Sequence, residues 1–147
     1  MNKSGVLKIY KNTGAAQFSL INCRRDDRGF VIKEGAVLVE VAKCNGKDTN
    51  GNILADWQNK LNLAINITDI CNLMDEYDTR KHKIYHKFKG VTKSLQFVPG
   101  QGKYEGTYML QVQVEDSRVT VPLTNGEYNM IMRLLIATAA PKLIGWE

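Results

Sequence analysis

Between Arg80 and Lys93 the chain carries Arg80, Lys81, Lys83, Lys87, Lys89 and Lys93 with no acid among them, and Tyr85 and Phe88 sit inside the run. Dispersed cations suit phosphates and flat π-faces suit unpaired bases, so this is the composition of a single-strand track. It is also the composition of a solvated edge strand, because lysines are how a sheet guards an open edge. Composition leaves both readings open. His82 and His86 are four apart and would share one face of a strand. They lack a third or fourth ligand at a usable spacing, so they read as surface or phosphate-side histidines and no metal is expected.

The other candidates for chemistry are weaker. Asp26-Asp27 and Asp75-Glu76 are adjacent acids in a loop and at a helix end, which is solvated charge. Asp48 and its asparagines lack the ligand pattern and closing glutamate of a calcium loop. No GxSxG elbow, Walker loop, HExxH or GxGxxG is present. Neither catalysis nor a cofactor is expected. Tyr108, Leu110, Val112 and Val114 alternate as buried positions, which turns Met109, Gln111 and Gln113 outward. Uncharged hydrogen-bonding side chains there suit base edges, and equally plain solubility.

Two strand-to-helix passages must position these groups. Val119, Val121 and Leu123 alternate, and Thr124 with Glu127 forms a capping box. Tyr128, Ile131, Met132, Leu135 and Ala139 then make one helical stripe. Pro141 is expected to stop or kink that helix. Earlier, Leu61, Leu63, Ile65 and Ile67 alternate before Thr68 and the apolar spacing of 69–74. The two threonines are 56 residues apart, which suggests a duplicated β-β-β-β-α unit, pseudo-repeats of roughly 6–78 and 79–147. Met130, Leu134 and Ile136 lie off the stripe, so the last helix has more apolar surface than one sheet can cover.

The remaining strands follow from alternation. Val6–Lys11 and Ala15–Ile21 flank the turn at Asn12-Thr13-Gly14 and make a hairpin. Leu7, Ile9, Phe18 and Leu20 face the core, leaving Lys8, Tyr10, Gln17 and Ser19 opposite. Phe30–Ile32 and Val37–Ala42 read as a third strand region bent at Glu34-Gly35, with a bulge at the glycine. Asn45–Asn52 reads as a polar loop, and the second half supplies four more strands. About eight strands and two helices in blocks argue α+β.

At 147 residues the chain is one domain with a real core, and its net charge of +5 favours polyanions only mildly. Three cysteines with no CxxC pair read as reduced thiols. No apolar run is long enough to cross a bilayer. The N-terminus has neither a signal-peptide core nor a transit peptide, so a cytoplasmic location in a prokaryotic or viral source is expected, or an organellar matrix if a targeting segment was removed.

These residues together resemble the Whirly family of single-stranded-DNA-binding proteins, related in fold to a eukaryotic transcriptional coactivator. The likeness runs over nearly the whole chain: Leu7–Ala16, Asp56-Trp57 with Leu61–Leu73, Ile84–Gly90, Val121–Thr124, and the ending Pro141-Lys-Leu-Ile-Gly-Trp146. The family's KGKAAL hairpin signature is altered to Lys11-Asn-Thr-Gly-Ala-Ala16. The resemblance implies two antiparallel four-stranded sheets, a helical layer that assembles a homotetramer, and binding of single strands along sheet edges. On that reading Lys8, Lys11, Lys60, Lys87, Lys89 and Lys93 capture phosphates. Tyr10, Trp57, Tyr85 and Phe88 stack on bases, and Asn12, Gln17, Gln111 and Gln113 add uncharged contacts. The role would be in DNA replication, recombination or repair. RNA as the ligand, with annealing as the activity, and a coactivator-type scaffold are the rival expectations.

Overall fold

The computed structural model describes residues 3–75 and 83–146. Arg80, Lys81, His82 and Glu76 therefore lie outside the described residues. The chain runs β1 (Lys3–Tyr10), β2 (Gly14–Ile21), β3 (Arg24–Arg25), β4 (Val31–Lys33), β5 (Ala36–Lys47), β6 (Ile53–Ala55) and β7 (Leu61–Ile65), then α1 (Ile67–Asp75). After it come β8 (Lys83–Phe88), β9 (Val91–Pro99), β10 (Tyr108–Val114), β11 (Ser117–Leu123) and a helix from Asn125 to Leu143. The class is α+β, and each half builds an antiparallel sheet before a helix.

The first sheet joins β1, β2, β5 and β7, and β6 pairs with the far end of β5 as a fifth strand. The second sheet is β11-β10-β9-β8. One face of each sheet enters a common core: Ile9, Phe18, Val39 and Leu63 from the first, Ile84, Leu95, Leu110 and Val121 from the second. The helical stripe covers it, with Tyr128, Ile131, Met132, Leu135, Ala139 and Leu143 buried. Tyr128 stacks on Tyr108 with centroids 3.9 Å apart and meets Phe97 edge-on at 5.4 Å, which anchors the helix to the second sheet.

Several expectations are corrected. Phe30–Ile32 and Val37–Ala42 are not one bent strand: β4 pairs with β3 in a separate ribbon, and β5 starts beyond Gly35. A Cβ on Gly35 would collide with the Ile21 carbonyl, so the glycine permits a backbone crossing and makes no bulge. The loop at 45–52 is shorter than its composition suggests, because β5 runs to Lys47 and Asp48 closes a tight hairpin onto the Asn50 and Asn52 amides. Those amide bonds hold the Asp48 carboxyl below its ordinary value. The first helix is capped by Asn66, not Thr68. Asp69 N–H donates to Asn66 Oδ1 at 2.8 Å while Asn66 N–H donates to Asp69 Oδ2 at 2.9 Å. Ser19, expected on the solvent side, is buried, and its Oγ has no hydrogen-bond partner among the described residues.

Pro141 does not stop the last helix. Leu134–Ala139 is a π-helical turn, and α-helix resumes at Ala140 with Pro141 in its first turn. The π-turn ahead of it carries the Ala140 N–H to the Leu135 carbonyl, and in that widened register the helix passes Pro141 without a break. The helix then docks on the β3–β4 ribbon: Gly35 N–H donates to the Leu143 carbonyl at 2.8 Å, and Arg25 Nη2 to the Gly145 carbonyl at 2.8 Å. Gly145 has φ +73°, and a Cβ there would lie 2.5 Å from Val31 Cγ2. The glycine of the ending is thus required by conformation and by space.

Lys11 illustrates how the hairpin is tied to the helix. Its Nζ lies 2.8 Å from Oε1 of Glu127, the capping-box acid, whose other bond is to the Thr124 amide. Burial would raise the Glu127 carboxyl, but the Lys11 hydrogen bond and charge and the Thr124 amide outweigh it and hold it low. A depressed folded value means the stabilisation is present above the unfolded value of about 4.3 and is lost as pH falls through the folded one. Lys11→Ala is expected to lower stability by about 0.2–1 kcal/mol at neutral pH, since the pair is partly exposed. That deficit should vanish in acid melts where Glu127 is protonated. A constant deficit across pH would assign the loss to packing.

Candidate nucleic-acid interface

Antiparallel register sorts the candidate residues by face, because paired residues project to the same side. On the solvent side of the first sheet, Lys8, Gln17, Glu40 and Asn62 form one row, and Tyr10, Ala15 and Ala42 the next. Trp57 comes up beside Tyr10 edge-to-face, with centroids 6.3 Å apart. Asn12 is exposed at the hairpin turn. Lys60 reaches back over this face to Glu40. Lys8, Tyr10, Gln17, Trp57 and Lys60 are therefore one surface.

A second group lines a groove. Among the described residues β7 pairs with β5 alone and β8 with β9 alone, so each leaves an open edge. Between those edges lie Asn66, His86, Lys87, Phe88, Lys89 and Lys93. Phe88 is 72% exposed, and Lys89 Nζ lies 5.3 Å from its ring centroid. Lys89 and Gly90 both have positive φ, 51° and 80°, the geometry of a type I′ hairpin turn. Asparagine or glycine is usual at the first of these positions, and a lysine there is backbone strain of about 1 kcal/mol or more kept at the groove mouth. Lys93 Nζ donates to Asn62 Oδ1 at 2.7 Å, which joins the groove to the first sheet's solvent side.

Tyr85, Gln111 and Gln113 are elsewhere. They lie on the outward face of the second sheet, in the rows Lys83–Gln96–Gln111–Thr120 and Tyr85–Ser94–Gln113–Arg118. Gln113 is already engaged: its Oε1 accepts from Arg118 and its Nε2 donates to the Glu115 carbonyl. β8 is thus a ridge, with Tyr85 on one side and His86 and Phe88 on the other. Lys11, bound to Glu127, belongs to none of these surfaces.

Sequence reasoning did not single out Asn62, Asn66 or Arg118, and it gave His86 no partner. His86 Nε2 lies 2.8 Å from Asp69 Oδ2 and ties the groove strand to the cap of α1. Counting register from Gln111 and Gln113 would have found Lys83, Gln96 and Arg118; nothing in the sequence announces the His86–Asp69 pair. Among the described residues no group of three or more His, Cys, Asp or Glu could hold a metal, and no helix is long and apolar enough to cross a membrane.

Open sheet edges, exposed rings and unopposed lysines on an antiparallel α+β scaffold define a nucleic-acid-binding class of protein. The chain belongs to the Whirly family: the profile described as Whirly transcription factor matches residues 9–134. It carries that family's nucleic-acid-binding, transcription-factor-like fold. WHY3 from Arabidopsis thaliana has the same fold, with TM-score 0.76 and 24% identity over 97% of this chain and 90% of that one. WHY1 from the same plant gives 0.75 and 22%, over 99% and 93%. The plant transcriptional regulator PBF-2 gives 0.76 and 20%, over 99% and 85%. No curated protein sequence matches the chain.

Proposed function

We propose that the protein binds single-stranded DNA with little sequence preference, as a homotetramer assembled through its helices, in replication, recombination or repair. The observation that carries the reading is Phe88, a ring left 72% exposed on an edge strand and flanked by Lys87 and Lys89. A flat π-face held between two cations on an open edge is what an unpaired base and its phosphate call for. Phosphates would run along the lysines while bases turn toward Phe88 and, across Asn62 and Lys93, toward Tyr10 and Trp57. Sequence tolerance follows, since every base has a π-face.

The test is a titration of labelled poly-dT at several salt concentrations, with duplex and sequence-matched RNA as competitors. Affinity should fall steeply with salt, and duplex should compete poorly. Preference for RNA would move the ligand to the rival class, and affinity flat in salt would remove nucleic acid altogether. The variant Lys87→Ala/Lys89→Asn should reduce the salt slope by about 1.4, two contacts at roughly 0.7 each. Lys89→Asn alone should also raise the thermal midpoint slightly, because asparagine suits the positive φ. An unchanged slope would mean these lysines only guard the edge.

A further inference from the structure

Glu40 stands near the middle of the first sheet's solvent side, in the row Lys8–Gln17–Glu40–Asn62, yet its side chain is only 4% exposed. A covered carboxylate is uncommon, and one placed inside a face for polyanions opposes their capture. Two of its contacts bear on this face. Lys60 Nζ lies 2.5 Å from Oε2, and Gln17 Nε2 donates to Oε1 at 2.8 Å. The first contact neutralises Lys60 locally. The second fixes the direction of the Gln17 amide: a carboxylate accepts and cannot donate, so the nitrogen faces Glu40 and the carbonyl oxygen faces away. Among the described residues that oxygen has no hydrogen-bond partner, and it is open to solvent.

We propose that Glu40 is a positioning residue that sets specificity, making this face answer to unpaired bases and not to phosphate charge alone. The inference rests on the single-strand reading above. Gln17 Oε1 is held as an outward acceptor for a ring N–H or exocyclic amino group. Those donors lie on the Watson–Crick edge, which is free in a single strand and occupied in a duplex. A duplex offers this face mainly phosphates, and with Lys60 paired the face offers it one cation fewer. Discrimination against duplex is therefore built from an acid, which a count of lysines would never suggest.

The experiment compares poly-dT and duplex binding across salt for wild type, Glu40→Gln, the double variant Glu40→Gln/Lys60→Gln, and Gln17→Met. Glu40→Gln keeps the shape, frees Lys60 and lets position 40 donate as well as accept, so Gln17 loses its fixed direction. Duplex affinity is expected to rise roughly threefold and its salt slope to steepen by about 0.9, the signature of one added phosphate contact. The preference for poly-dT over duplex should fall by at least that factor. Removing Lys60 as well should return the duplex slope to its wild-type value. Gln17→Met should weaken poly-dT several-fold and leave duplex binding alone. A folded Glu40→Gln with unchanged duplex slope and unchanged preference overturns the proposal. If that variant fails to fold, an unchanged poly-dT affinity in Gln17→Met overturns it instead. A wild-type protein with no preference for poly-dT would defeat the single-strand reading itself, a result distinct from either.

Discussion

Phe88→Ala is expected to lower affinity for poly-dT about five- to a hundred-fold, the range set by the loss of about 1–3 kcal/mol of base stacking. The thermal midpoint should stay where it is. The ring contributes little to the core, since it is 72% exposed and its nearest described partner is the Lys89 ammonium. Alanine keeps the β8–β9 pairing, because Phe88 and Val91 close the hairpin through their backbones. Weak duplex binding should scarcely change, since paired bases cannot reach a ring in a groove. Phe30→Ala is the matched control: Phe30 is 62% exposed and has a cation beside it, Arg28 at 5.5 Å, but it stands on the β3–β4 ribbon outside the groove. Its removal should leave poly-dT affinity intact. Equal losses in the two variants would mean that any exposed ring near a cation contributes, and the groove would have no special role. No loss in Phe88→Ala would leave stacking to Tyr10 and Trp57 alone.

What the sequence disclosed depended on whether a pattern was local. The alternation of Val119, Val121 and Leu123, the Thr124–Glu127 box and the Tyr128–Ala139 stripe are all written in neighbouring residues, and all stand as read. Tyr10 projects opposite Ile9, as strand period requires. Pairing between distant segments was not legible. Val31–Lys33 looks like the start of β5 because both are apolar and extended; only its partner Arg24–Arg25 shows that it belongs to a ribbon. Ile67 continues the strand alternation in sequence, and only the bonds between Asn66 and Asp69 show that it opens the helix. The ion pairs were hidden for the same reason: Lys11 and Lys60 look unpaired until Glu127 and Glu40 are brought to them from other elements. Tyr85 and Phe88, three residues apart in one basic run, end on opposite sides of a strand, as odd spacing in a strand demands.

The second large effect is expected at the helix. Leu134→Glu should convert the assembled protein to smaller species at micromolar concentration, with the protomer still folded. The buried stripe of Ile131, Leu135, Ala139 and Leu143 faces the sheets, and Leu134 is outside it, 37% exposed. Met130 is 53% exposed nearby, and on the other flank of the stripe half-buried Ile136, Ala140 and Ile144 lie with Trp146, itself 76% exposed, so among the described residues the helix keeps open apolar side chains on both flanks. The π-turn at Leu134–Ala139 contributes to this by shifting the face that the helix presents past Arg133. A carboxylate forced into an apolar contact loses its water without gaining a partner, a penalty of several kcal/mol. If two-fold symmetry builds the interface, the substitution enters it twice. About 3 kcal/mol is already more than a hundred-fold in the association constant. Light scattering reads the mass, and circular dichroism shows whether the protomer survives. Short oligonucleotides that occupy one groove should bind the dissociated variant nearly as well as wild type. Long strands should bind more weakly, since they lose the gain in effective concentration from linked sites. A variant of wild-type mass would place the interface elsewhere, and a wild-type monomer would remove the helical layer from the assembly altogether.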